Sequence, residues 1–255
     1  MLAAAGGVGI GAALLAVAPS AAAPRRPERF VLSPDLEARV AAHRTLVANA
    51  GRSTDDFCKL TTDTIELLDP ILRELSEFEG KQRHSRPFSA IEDAYASTEK
   101  RVRGLYLVAF EEGYRTGIDY PKLAKLAPQD ARPLLRAIDR FERGDEGIVS
   151  WEVLVTDYSA CHAPEKARAP LATLARTWTT APSCLRDVLR ERLNHDLENM
   201  VVGTCFCNER EPALAAVRKN VRLLRSLADT RGPELADKFL ATTHSPDVRF
   251  ACSPR

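Results

Sequence analysis

The residues best suited to chemistry sit in one short stretch, Met200-Val-Val-Gly-Thr-Cys-Phe-Cys-Asn-Glu209, around the pair Cys205 and Cys207. A Cys-x-Cys pair can serve as a redox couple, as two soft-metal ligands, or as the ends of two separate disulfides. A disulfide closed within Cys-x-Cys is strained and therefore oxidising. A metal site needs further ligands, and Cys161-His162 could supply them: Cys161, His162, Cys205 and Cys207 form a Cys₃His set suited to zinc. Structural bridging is the plainer reading, with Cys58, Cys161, Cys184, Cys205, Cys207 and Cys252 all committed to disulfides. Zinc belongs only to the alternative reading; otherwise no cofactor is expected.

Other candidates are weaker. Glu191 and His195 stand four apart, on one face of an expected helix, with Asp196, Glu198 and Asn199 beside them. That spacing suits two metal ligands or an acid/base pair, but equally a solvated face. The acidic pairs Glu74/Glu77 and Glu111-Glu112 read the same way. Arg218, Lys219, Arg222 and Arg225 form a positive stripe opposite Val217, Val221 and Leu224, with Arg186 and Arg190 not far away in the chain. Such a stripe could meet an anionic partner, or be the wet side of an amphipathic helix. The basic stretch Lys81–Arg86 poses the same choice. His43, His84 and His244 have no partner visible in the sequence. There is no glycine-rich phosphate loop, dinucleotide fingerprint, Gly-x-Ser-x-Gly turn or Cys-x-x-Cys-His haem motif. None of the motifs present is specific enough to name a family.

The elements that must position these residues begin after an apolar N-terminus. Residues 1–23 carry no charged side chain and end in Ala21-Ala22-Ala23, the pattern of a cleaved secretory signal, although no Lys or Arg precedes the apolar run. An uncleaved anchor is the alternative. Export to the periplasm or cell exterior suits six cysteines, because disulfides persist where the medium is oxidising. No later stretch is apolar enough to span a membrane, so a soluble mature chain is expected. The net charge of +1 gives no global support to nucleic-acid binding.

Residues 24–32 read as a leader and 33–243 as a helical domain, with a possible internal boundary at 80–88. A polar tail, 244–255, is tied down through Cys252. Ser33-Pro34 opens a helix that stops at Gly51; a second starts near Ser53 and is kinked or restarted at Pro70. Ser89-Ala-Ile-Glu92 has the form of a capping box, and Ile91 to Ala109 keeps helical spacing to about Gly113. Asp119-Tyr-Pro121 and Asp130-Ala-Arg-Pro133 mark further starts. Residues 147–158 are β-branched but lack a strand to pair with, so helix is expected there. Helices over 164–179, 183–201, about 208–231 and 233–243 complete an all-α array or bundle of about eight amphipathic helices, stapled by disulfides.

Helix lengths narrow the fifteen possible cysteine pairings. Cys161 and Cys184 flank a helix spanning roughly 24 Å, while bridged Cα atoms lie within about 7 Å. An antiparallel return over 183–201 brings Cys205 or Cys207 back to Cys161 and leaves Cys184 for Cys252 or Cys58. The function this predicts is non-catalytic binding of a macromolecular partner whose nature is unknown. A metal or thiol-redox protein is the alternative.

Overall fold

The computed structural model describes residues 29–82, 88–110, 113–143, 152–156, 159–203 and 205–252. The elements run α1 (Pro34–Asn49), α2 (Thr54–Gln82), α3 (Ser89–Arg101), β1 (Leu105–Phe110), β2 (Gly113–Ile118), α4 (Tyr120–Leu126), α5 (Arg132–Arg143), β3 (Glu152–Thr156) and β4 (Ser159–His162). Then follow α6 (Pro164–Thr180), α7 (Ser183–Val201), α8 (Arg210–Ser226) and α9 (Gly232–Thr243). The fold is all-α, with two small antiparallel hairpins, β1–β2 and β3–β4, inserted between helices.

The helices form where apolar side chains recur at helical spacing and each buries that face. Leu36, Val40 and His43 are the buried positions of α1; Leu185, Leu189, Leu193, Leu197 and Met200 are among those of α7. Helix α1 packs along α2, α6 bridges α5 and α8, and α9 lies against α7 and α8. One apolar core runs through all of these layers, with Phe57, Tyr95, Trp178, Phe206 and Phe239 among its largest members. Polar contacts lock the layers: the Trp178 indole Nε1 donates to Asp229 at 2.6 Å, and Asn220 donates to the Pro164 carbonyl at 2.7 Å. Helix α2 runs unbroken through Pro70, where buried Leu67, Leu68 and Ile71 hold both sides of the proline in the core.

Three expectations are corrected. The helix begun at Ser89 does not reach Gly113. It ends at Arg101, Val102 turns extended, and Gly104 adopts a φ of 97°, which only glycine takes up readily. A β-carbon at Gly104 would lie 2.7 Å from the Leu123 side chain, so the position excludes larger residues twice over. Beyond it the burial period changes from helical to two: Leu105 and Leu107 point inward while Val108 is exposed. The segment expected as a helix over 147–158 holds β3, whose partner is the four-residue strand Ser159–His162, too short to register as a strand by composition. The capping box at Ser89 is also not formed, since α3 has no side-chain cap. The possible boundary at 80–88 falls mostly on residues outside those described, as do residues 1–28.

Three disulfides staple this framework: Cys58–Cys184, Cys161–Cys207 and Cys205–Cys252. The pairing lies within the subset allowed by helix length, with Cys161 linked across the α6–α7 return rather than to Cys184. Their loops close over 126, 46 and 47 residues, and by restricting the unfolded chain the first contributes about 5 kcal/mol and the other two about 4 kcal/mol each. Disulfides of this number point to an oxidising environment. Among the described residues, no helix is long and apolar enough to cross a membrane.

Candidate functional site

Cys205-Phe206-Cys207 forms a strand-like link between two parts of the chain. His162 N donates to the Cys205 carbonyl and Cys207 N to the His162 carbonyl, both at 2.8 Å. On the other side Phe206 N donates to the Arg249 carbonyl and Cys252 N to the Phe206 carbonyl. The two sulfurs go to different partners, Cys161 and Cys252. All three cysteines of the Cys₃His set are thus disulfide-bonded, and a disulfide sulfur is not the thiolate that zinc requires. In this oxidised form Cys161, Cys205 and Cys207 offer no thiolate to join His162 at a zinc site. Among the described residues no group of three or more His, Cys, Asp or Glu side chains could hold a metal ion. His162 itself is buried against Gly203, and burial pushes its pKa down to about 4, leaving a neutral ring.

The Glu191/His195 pair lies on the exposed side of α7, where, among the described residues, His195 meets only Asn199, at 3.2 Å. Glu74 accepts from Ser33 N at 2.9 Å, and Glu111 and Glu112 lie outside the described residues, as do His84 and most of Lys81–Arg86. His244 is exposed after α9. The α8 stripe is exposed as expected. Arg225 is committed to Asp237 of α9 at 2.7 Å, while Arg218, Lys219 and Arg222 have no hydrogen bond or ion pair among the described residues.

Where positive charge converges is elsewhere, around α4. This helix is only seven residues long, and its geometry is set at its start. Asp119 Oδ1 accepts from Lys122 N at 2.9 Å, capping the first turn, and Asp119 N donates to the Gly104 carbonyl at 2.7 Å, fastening α4 to the base of the hairpin. Tyr120, Leu123 and Ala124 turn into the core, which leaves Lys125 facing water and Lys122 half-buried.

Two cavities flank α4. One, of about 430 Å³, is lined by Pro121, Ala124, Lys125, Arg132 and Arg136. The other, of about 460 Å³, is lined by Glu99, Lys100, Arg103, Lys122 and Lys125. Lys125 belongs to both. Six cations from three successive regions of the chain therefore line these two adjoining cavities, and the carboxylates set among them are Glu99 and Asp119. Both are already engaged with Lys122, at 2.6 and 2.9 Å. Burial lowers the Lys122 pKa, but hydrogen bonds to Glu99 and Asp119 outweigh this and raise it, so the ammonium stays charged. Glu99 also accepts from Leu107 N, at 3.2 Å, which fixes it as a brace of the hairpin. Among the described residues Lys100, Lys125 and Arg136 make no ion pair or hydrogen bond.

The groove is held from behind by two buried polar arrangements. His43, fully buried on α1, meets Asp63 of α2 through Nδ1 at 2.6 Å and donates from Nε2 to the Arg103 carbonyl at 2.8 Å. It positions the turn that carries Arg103; this partnership, between residues 20 and 60 positions apart, has no signature in the sequence. On the inner side of α4, the Tyr120 hydroxyl donates to Glu142 Oε1 at 2.9 Å, and Arg192 Nε donates to the same oxygen at 3.2 Å. Asp196 lies beside Glu142. Burial, and then the Glu142 charge, push its pKa up to about 8, so it is protonated at neutral pH. Its buried Oδ2 has no hydrogen-bond partner among the described residues.

Guanidinium forks and lysine ammoniums in a concave surface can hold phosphate, sulfate or carboxylate groups. The lining is mainly cationic, and its carboxylate, Glu99, is engaged by Lys122 and by Leu107 N. The arrangement suits binding. Its residues were missed in the sequence because they are spread over 100–136, although that stretch carries eight Lys and Arg against four Asp and Glu in a chain of net charge +1. A local charge window would have found it. No family model, characterised protein sequence or solved structure matches this chain, so the groove is interpreted from its own chemistry.

Proposed function

We propose that the chain is exported, to the periplasm or cell exterior, and acts without catalysis by binding an anionic partner in the α4 groove. The observation that carries this reading is the convergence of Lys100, Arg103, Lys122, Lys125, Arg132 and Arg136 on two cavities that share Lys125. Charge placed in a concavity with low-dielectric walls attracts an oppositely charged ligand more strongly than the same charge on an open surface. The uncharged run ending at Ala21–Ala23 and the three disulfides support export, the first as a signal sequence and the second as a staple for an oxidising compartment.

The test uses the oxidised protein and inorganic tripolyphosphate, followed by amide chemical shifts. Shifts concentrated in residues 99–136, and weakened steeply by salt, are expected. Shifts confined to α8, or no binding at about 20 mM salt where the screening length is over 20 Å, would remove the groove as the functional site.

A further inference from the structure

The two cavities adjoin along α4, each large enough for a small ligand, and their linings otherwise differ: α5 completes one and the end of α3 the other. Lys125 is the exception among the lining residues. It stands where the two meet and reaches either. Resting on the anion-binding reading above, we propose that the ligand is a linear acidic polysaccharide that crosses α4 and fills both cavities at once, with Lys125 gripping it at the crossing.

The lining chooses among polyanions. Single-stranded nucleic acid is held by aromatic side chains on which bases stack, and among the described residues no aromatic side chain lines either cavity. An acidic amphipathic peptide needs apolar anchor pockets, and a membrane surface needs exposed apolar side chains beside the cations. The apolar lining here is Pro121 and Ala124, one of them buried. What the groove offers is charge and donors. Arg103, Arg132 and Arg136 present forks for sulfate, phosphate or carboxylate groups, and Lys100 and Lys125 present ammoniums with no partner among the described residues. A chain of hydroxyls and regularly placed anionic groups matches that lining and needs neither stacking nor apolar insertion.

Joining two sites through one ligand makes the second binding event intramolecular, which adds avidity of about 10²-fold or more without new contacts. Size-defined heparin oligosaccharides, titrated calorimetrically into the oxidised protein, provide the readout. Affinity should rise gently until the chain is long enough to cross α4, then step up by at least about 30-fold, a conservative share of that avidity. Arg136→Glu on one flank and Lys100→Glu on the other should each abolish the step while leaving disaccharide binding to the opposite cavity. Lys125→Glu should abolish the step and weaken the disaccharide too. The charge-matched Arg222→Glu variant on α8 should keep the step, and thermal melts check that each variant is folded.

A smooth length dependence, with tripolyphosphate binding as tightly as the longest oligosaccharide, overturns the bridging but leaves anion binding in place. Tighter binding of a single-stranded oligonucleotide, or of phosphatidylglycerol vesicles, than of the oligosaccharide at equal charge overturns the polysaccharide assignment alone. Failure of every anionic probe to bind overturns this inference and the function it rests on.

Discussion

Two basic surfaces carry similar charge in different settings. On α8, Arg218, Lys219, Arg222 and Arg225 project from one side of a single helix, all exposed, and Arg225 is neutralised across to Asp237 on α9. Around α4 the cations come from the end of α3, from α4 itself and from α5, and they surround concave space. Two unit charges 4 Å apart in water interact by only about 1 kcal/mol, and by about 4 kcal/mol near a protein wall of lower effective dielectric. Helical periodicity alone produces the α8 stripe, since any amphipathic helix needs a wet face. The α4 groove needs three elements to meet and two buried braces to hold them. Charge that converges through tertiary packing is therefore better evidence of a ligand than charge that recurs along one helix.

The comparison can be broken most directly by reversing charge on each surface. Lys125→Glu/Arg132→Glu/Arg136→Glu should weaken heparin-oligosaccharide binding by about 1,000-fold, or roughly 4 kcal/mol. Arg218→Glu/Arg222→Glu should cost less than about threefold, under 1 kcal/mol. Equal losses in a calorimetric titration would mean that concavity confers nothing.

Next in size is the brace behind Arg103. His43→Ala leaves the Asp63 carboxylate and the Arg103 carbonyl without their shared partner and should lower unfolding free energy by about 3 kcal/mol. Urea titration measures that loss. Because the turn carrying Arg103 loosens, oligosaccharide affinity in the fraction still folded should fall as well. A stability loss with unchanged affinity would show that the turn keeps its place without His43.

The pH dependence of stability sharpens the role of the inner seam. Asp196 has its folded pKa raised to about 8 against an ordinary value of 3.8, so between these limits the folded state holds more protons than the unfolded one. Its contribution is fully present at low pH and is lost as pH rises towards 8. His162 works in the opposite sense. Its pKa falls from 6.5 to about 4, so its contribution is present above 6.5 and lost as pH falls towards 4. Asp196→Asn should flatten the alkaline side of the thermal-melting profile, raise the midpoint at pH 8 and leave the acidic side unchanged. A profile identical to that of the parent chain would show that Asp196 does not carry the proton. The smallest effect belongs to α8 again. Arg225→Ala removes an exposed ion pair and should change stability by no more than about 0.5 kcal/mol in the same urea assay.

Much of the helical frame was legible in the chain. Pro34, Pro164, the Pro182-Ser183 start and Gly232-Pro233 mark helix beginnings by local rules, and the boundaries of α6, α7 and α9 lie within a few residues of those expected. Cysteine pairing was narrowed by helix length alone. The hairpins were not legible. Leu105, Val108 and Ala109 fit a helical repeat as well as a strand, and the decision rested on Gly104, whose positive φ is set by packing against Leu123 and Thr64. For β3 the missing clue was a partner of only four residues. At the candidate site the sequence pointed to α8, where charges are neighbours along one helix. It passed over Lys100, Arg103, Lys122, Lys125, Arg132 and Arg136, which become neighbours only after α3, the hairpin, α4 and α5 have folded together.

The sequence by itself determined which segments are amphipathic helices, where proline and glycine punctuate them, and which cysteines cannot be joined. These follow from interactions within a few residues or from the rigid length of one helix. Only the tertiary structure decided which partner Cys205 and Cys207 each take, that His43 holds the Arg103 carbonyl, and that six cations line two adjoining cavities. Those outcomes depend on distances between residues remote in the chain, and such distances are fixed by the packing of the whole core.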